Sequence, residues 1–369
     1  MLPGIGVKMQ DSSIFDHFSG QLGRLCDVVG MDSTAPVDLV AGILGEHRTR
    51  PVSAPPAWRS DVADDHSPFE FSIAYNENEP PALRVLAEAL APTPGVAANM
   101  SAAYRFLRAQ ARRYGLSTRR LDAVRDLFAA ARPQGDFALW LSLVFRNGRQ
   151  PEFKVYFNPE LRGPGRASEV VAEAFGRLGL SRSYQSMLRN CIRPGELGRR
   201  DRLSFFALDL HDTPQARVKL YVSHHDARAE DVARAAAVVD GVDPAEVADF
   251  CAVAGRTDRF AGRPLVGSYT LTGGVDKPVG YSIYVPIRSY VGDDQEARER
   301  VLPLLDRYRF EPAVLDRAIA AVTDRPLAGG VGLLAHVSLR LGPPRPGMTV
   351  YLSSEAYRVQ RPLRLPMVA

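Results

Sequence analysis

The sequence predicts an α/β fold: an antiparallel ten-stranded β-barrel of repeated helix–strand–strand–helix units, with a surrounding ring of helices. Three observations carry that expectation. Four stretches, FKVYF, RVKLYVS, GYSIYVP and MTVYLSS, share one pattern, and their tyrosines at 156, 221, 284 and 351 stand 65, 63 and 67 residues apart. A near-constant period of this size marks a repeated supersecondary unit. Each of these stretches is preceded by another short alternating run, so strands come in pairs with helical segments between them. Within each pair apolar and polar residues alternate, which puts one face of the sheet against helices and leaves the other polar. Closing such a sheet removes its exposed edges, and a ten-stranded barrel is too wide to fill its own centre. The polar faces therefore line a chamber.

The elements follow in order. Residues 1–60 are helical around SIFDHFSGQLGRLCDVVG and VDLVAGILGEH, until the prolines of RPVSAPPAW break the pattern. PFEFSIAY and ALRVLAEAL make the first strand pair. SAAYRFLRAQARRYGLSTRRLDAVRDLFAAA keeps apolar residues at helical spacing and reads as one long helical stretch. FALWLSLVF and FKVYF pair across the turn RNGRQ, and ASEVVAEAFGRLGL is helical. LSFFALDL and RVKLYVS precede the helical DARAEDVARAAAVVDG and PAEVADFCAVA. VGSYTLTGG and GYSIYVPI precede EARERVLPLLDRYRF and PAVLDRAIAAV, and LLAHVSLRLG with MTVYLSSEAY closes the set.

The chain has 369 residues, 46% hydrophobic and 24% charged, an ordinary balance for a soluble globular protein. A closed α/β architecture accommodates this length as one domain over 1–369, with 1–60 packing on the barrel as a helical segment. A formal net charge of +4 and a pI near 9.0 are compatible with nucleic acid or with a small anionic substrate. Cys26, Cys191 and Cys251 are odd in number and contain no CxxC pair. They read as reduced thiols of a cytoplasmic protein, with no disulfide framework and no zinc site. MLPGIGVKMQ has no signal-peptide pattern and no apolar run is long enough to span a membrane.

Parity assigns the chamber side. Lys154 and Tyr156 share a face, as do Arg217, Lys219 and Tyr221, then Ser282 and Tyr284, then Thr349 and Tyr351. Glu70 shares a face with Ser72, opposite Phe69, Phe71 and Ile73. Arg340 shares its face with His336 and Ser338, which makes it either a further chamber cation or a rim residue. His224–His225 has no partner at ligand spacing and reads as a loop at a strand end.

In the ordered set FEFS…LRV, KVYFNP, RVKLYV, YSIYVPIRSY and MTVYLSSEAY the chain resembles the aromatic prenyltransferases of the αββα (ABBA) barrel. Within them it resembles the bacterial form of the dimethylallyltryptophan synthase type, from SPFEFS to the last strand. The resemblance implies transfer of a dimethylallyl group from its diphosphate to the indole of L-tryptophan or a tryptophan derivative, releasing diphosphate, in secondary metabolism. By that resemblance Arg84, Lys154, Arg217 and Lys219 hold the diphosphate, with Arg340 as a candidate fifth cation. Tyr156, Tyr221, Tyr284 and Tyr351 shield the allylic cation, and Glu70 accepts the indole N–H as the catalytic carboxylate. The chemistry suits these residue types. Fixed cations stabilise the charge that develops as the C–O bond breaks, and aromatic faces stabilise a carbocation without capturing it.

Two positions depart from the pattern. Ser282 stands where several relatives have Gln, and FALWLSLVF lacks the lysine that carbon-prenylating relatives carry as a candidate base. No DDxxD motif is present, since Asp64–Asp65 and Asp293–Asp294 lack a third carboxylate at the required spacing. Diphosphate held through magnesium needs such carboxylates, so the expectation is a reaction with no cofactor and no obligatory metal. The competing readings are a single-strand nucleic-acid binder and a non-catalytic barrel for a small aromatic ligand. The modest net charge and the lack of any RNP-like or OB-like signature speak against the first. The matched cations speak against the second, because a neutral ligand would leave them buried without a counter-charge. The partners expected are therefore small molecules, with no nucleic acid and no membrane. The oligomeric state is not legible.

Overall fold

The computed structural model describes residues 12–342 and 346–363. Its ten strands close into one antiparallel barrel. In chain order they are β1 Phe69–Asn76, β2 Glu79–Ala87, β3 Leu139–Phe145, β4 Glu152–Phe157, β5 Asp201–Asp209, β6 Val218–His224, β7 Leu265–Leu271, β8 Gly280–Val285, β9 Leu334–Leu341 and β10 Gly347–Ser353. Each strand pairs with its neighbours in sequence, and β1 pairs with β10 to close the ring. Every ladder hydrogen bond thus has a partner strand, which removes the unpaired edge of an open sheet. The expected fold is the fold observed.

The helices are α1 Ile14–Val28, α2 Thr34–Leu44, α3 Val96–Tyr114, α4 Arg119–Val124, α5 Ala167–Arg177, α6 Ser181–Cys191, α7 Gly195–Gly198, α8 Ala229–Ala236, α9 Pro244–Gly255, α10 Asp294–Arg307 and α11 Pro312–Val322. The core lies between them and the outer face of the barrel. Phe69, Phe71 and Ile73 of β1 are buried there, with Leu220 and Val222 of β6 and Val350 and Leu352 of β10. Burying one such side chain contributes roughly 1.5–3 kcal/mol, so the outward parity of each strand is strongly fixed. The N-terminal segment joins this core through Phe18 of α1, whose ring centroid lies 4.7 Å from that of Phe69 and 6.5 Å from that of Phe71. Its first eleven residues lie outside the described part.

Three local expectations are corrected. The long helical stretch after β2 is two helices. Gly115, at φ 63°, ends α3 in the left-handed conformation, and the connection is tied down by the Ser117 N–H donating to the Leu210 carbonyl. The stretch SRSYQSMLRNC, given no element by its sequence, is α6, with Tyr184, Met187 and Cys191 on its buried face. His224 is the last residue of β6 and not part of a loop. It is fully buried with Nδ1 3.1 Å from the Asp201 carboxylate, while Arg193 ion-pairs with the same carboxylate.

Candidate active site

Cross-strand partners share a face of the sheet, so the register shows what faces the chamber. Lys154 stands between Ser142 and Asp209, and Tyr156 between Trp140 and Ala207. Lys219 is flanked by Ala207 and Thr270, and Tyr221 by Phe205 and Ser268. Arg340 lies between Ser282 and Gly347, and Tyr351 between His336 and Ser72. Arg84 lies opposite Ser72, and Glu70 lies between Ser353 and Leu86. Tyr284 lies between Val266 and Ser338, and Arg217, one residue before β6, bonds Asp209, so the cations, the tyrosines and Glu70 singled out in the sequence come from neighbouring strands of one barrel.

The tyrosines form a continuous belt. Ring centroids are 5.7 Å apart for Tyr156–Tyr221, 5.7 Å for Tyr221–Tyr284 and 6.1 Å for Tyr284–Tyr351. The Tyr221 hydroxyl donates to that of Tyr156 at 3.3 Å. Burial pushes the Tyr156 phenol up to about 12 and raises those of Tyr221 and Tyr351 as well, so these three rings stay neutral and offer π faces without an anionic nucleophile.

Cations gather on one side of that belt. Burial, then the charges of Arg217 and Arg84, lowers the Lys154 ammonium to about 8 despite the opposing pull of Asp209. Lys219 is held well below the usual lysine range by burial and by Arg217, Lys154 and Arg84. Burial, then the charges of Arg84 and Arg217, lowers the Arg340 guanidinium, with Glu79 pulling the other way, so Arg340 neighbours these cations at the β9 end. It also donates to Asn76 Oδ1 at 2.9 Å. Like charges this close are costly to keep in a low dielectric, and a polyanionic ligand relieves the cost.

The opposite side of the belt is apolar and ends in a carboxyl group. Phe137 stacks on Trp140 at 3.9 Å, Phe205 lies 5.4 Å from Trp140, and Val62 completes the cluster. Burial raises the Glu70 carboxyl to about 8, with Arg263 pulling the other way. His336 also faces the chamber. Burial, then Arg263, lowers it to about 4, so its imidazole is neutral near pH 7. Beyond them a cavity of about 270 Å³, lined by Asp61, Asp64, His66, Arg263 and Arg288 among others, opens at the rim. The segment around Val62 covers this end, held where the Trp58 indole N–H (3.1 Å) and the Ser60 hydroxyl (2.6 Å) donate to Glu88.

Sequence reasoning missed part of this wall. Trp140 and Phe205 were legible by parity, because they alternate with buried outward residues on β3 and β5. Asp209 was legible the same way, in register with Lys154. Val62 and Phe137 lie outside strands, where no period reports their direction. Among the described residues, no group of three or more His, Cys, Asp or Glu side chains is placed to hold a metal ion.

A chamber with clustered cations, a tyrosine belt and a buried carboxyl fits ionisation of an allylic diphosphate beside an indole. The family of tryptophan dimethylallyltransferases matches residues 37–314. The chain belongs to that family. It is thus an aromatic prenyltransferase of the ABBA barrel, transferring a dimethylallyl group from its diphosphate to a tryptophan indole. Solved structures agree along nearly its full length. The 6-dimethylallyltryptophan synthase of Micromonospora olivasterospora, in complex with DMASPP and Trp, is 66% identical with a TM-score of 0.92, over 95% of this chain and 100% of that one. The prenyltransferase PriB, in ternary complex with L-tryptophan and dimethylallyl thiolodiphosphate, is 37% identical with a TM-score of 0.89, over 96% and 99%. The 5-dimethylallyl tryptophan synthase of Streptomyces coelicolor is 34% identical with a TM-score of 0.88, over 97% and 100%.

Proposed function

We propose that this dimethylallyltransferase is a cytoplasmic, single-domain enzyme that prenylates C6 of free L-tryptophan and needs no metal ion. The 66% identity to a 6-dimethylallyltryptophan synthase carries the regiochemistry. The cation cluster supports the metal-free mechanism, since Arg and Lys side chains already supply the charge that a magnesium ion would bring. In this reading Arg84, Lys154, Arg217, Lys219 and Arg340 bind the diphosphate. As the C–O bond breaks, its electron pair leaves with the diphosphate and those cations stabilise the charge that develops. The allylic cation forms against Tyr156, Tyr221, Tyr284 and Tyr351, each face worth roughly 0.5–2 kcal/mol to it. Glu70 accepts the indole N–H and fixes the ring so that one carbon faces the cation. The aromatic wall and the Val62 segment keep out water, which would otherwise capture the cation.

The test is incubation with dimethylallyl diphosphate and L-tryptophan in excess EDTA, with the product analysed by mass spectrometry and NMR. The expected result is 6-dimethylallyl-L-tryptophan at the chelator-free rate. Attachment at another atom overturns the regiochemistry, and a loss of activity restored by magnesium overturns the metal-free mechanism.

A further inference from the structure

The cation cluster has a carboxylate built into it. Asp209 lies at the end of β5, on the chamber face, in register with Lys154. Its Oδ2 accepts from the Arg217 side-chain Nε–H at 2.7 Å and from the Arg217 backbone N–H at 3.3 Å. Its Oδ1 lies 3.4 Å from the Lys154 ammonium, and His211 Nε2 is 3.7 Å from Oδ2. The side chain is only 6% exposed. Burial alone would raise its pKa, yet Lys154, His211 and Arg217 hold it well below the carboxylate range. A permanent anion is thus fixed where an anionic ligand is to bind. For binding alone this is a poor arrangement, because it repels the ligand and occupies two of its partners.

We propose that Asp209 is a resident counter-anion of the diphosphate site: it holds Arg217 and Lys154 in place in the empty barrel, gives them up to the diphosphate, and limits affinity so that product diphosphate can leave. The inference rests on the reading of these cations as the diphosphate site. An empty cluster without Asp209 would splay its side chains or shed protons, and a loaded one would hold the released diphosphate too firmly. Asp209 acts through Arg217 and Lys154 and does not touch the reacting carbons, so it is a positioning residue.

The experiment compares wild type with Asp209→Asn, Asp209→Ser and Asp209→Glu as full chains, measuring inorganic diphosphate binding by calorimetry at about pH 6.5, where Lys154 is charged. Removing one negative charge within several ångströms of a polyanion should tighten binding by roughly tenfold or more. For the Asn variant kcat and the KM for dimethylallyl diphosphate should fall together, with stronger product inhibition, while Asp209→Glu restores wild-type affinity. Should the Asn variant fail to fold, the Ser variant, which admits a water to Arg217, gives the same reading. Equal or weaker diphosphate binding in the folded neutral variants overturns the proposal, and in that case a merely structural Asp209 accounts for any lost activity. No diphosphate binding by wild type overturns the functional reading as well, which separates the two failures.

Discussion

Glu70 sits where its own proton is in balance with neutral solution. Burial raises it to about 8, so in the empty barrel at pH 7 it is mostly the acid. An indole N–H is a donor and favours the ionised acceptor, so tryptophan binding should release a proton and strengthen as pH rises from about 6 to about 8. Glu70→Gln cannot ionise and should give a flat profile over that range. Calorimetric titration of L-tryptophan reads this directly, and a flat wild-type profile would show that Glu70 does not take the N–H as a carboxylate. The rate carries a second reading, because β3 presents Trp140 and Ser142 to the chamber in place of a lysine and Glu70 is the carboxyl proposed to face the ring nitrogen. If it only orients the indole, Glu70→Gln keeps most of kcat and Glu70→Ala loses it. A Gln variant as damaged as Ala would mean that Glu70 takes the N–H proton as a base, which suits attack at nitrogen and would count against C6, where the proton lost is the one on C6.

At the scale of elements, strands were easier to read than helices. A two-residue period survives any surroundings once one face is buried, so the Tyr and Lys positions on β4 and β6 gave the chamber directly. Helix spacing is more easily diluted. In α6 the arginines, serines and glutamine of SRSYQSMLRNC obscure a buried face made by Tyr184, Met187 and Cys191. Between α3 and α4 an apolar period continues through a break that depends on one residue, Gly115, in a conformation other residues adopt at a cost. The least legible element is the segment from Trp58 to Ser67, which lies across the chamber end with no period of its own. Its anchor is Glu88, which accepts from Trp58, Ser60 and, at 3.2 Å, Asn99. Glu88→Ala leaves those donors unsatisfied, and each is worth about 1–3 kcal/mol when buried. The variant should melt earlier and leak water into the chamber, raising the ratio of dimethylallyl alcohol to prenylated tryptophan. An unchanged ratio would mean that the segment does not seal the site.

At the scale of the molecule, closure makes the inner wall and the outer core one structure, so the charge held inside acts on the stability of the whole barrel. Two opposing groups of sites titrate. Glu70 and Glu88, raised to about 8 and about 7, favour the folded state below the ordinary carboxylate range, and that contribution is lost as pH rises through those values. Lys154, lowered to about 8, and Lys219, also lowered, act in the other direction. The folded state binds fewer protons than the unfolded chain between the lowered values and the ordinary lysine pKa, so these lysines penalise folding at low pH and the penalty fades as pH rises. Diphosphate should reduce that penalty by supplying negative charge beyond the single carboxylate of Asp209, taking up protons onto the lysines as it binds. A ligand at about 100 times its Kd stabilises the folded state by about 2.7 kcal/mol, enough to move Tm by several degrees. The shift should be larger at about pH 7 than at about pH 9.5, where Lys154, lowered to about 8, has lost its charge in the ligand-free protein. It should also persist in EDTA, because in the proposed function the cations that receive the diphosphate are side chains of the protein. Thermal unfolding with and without inorganic diphosphate at the two pH values checks this. A shift that grows with pH, or that requires magnesium, would mean that the lysines are not the groups that meet the diphosphate.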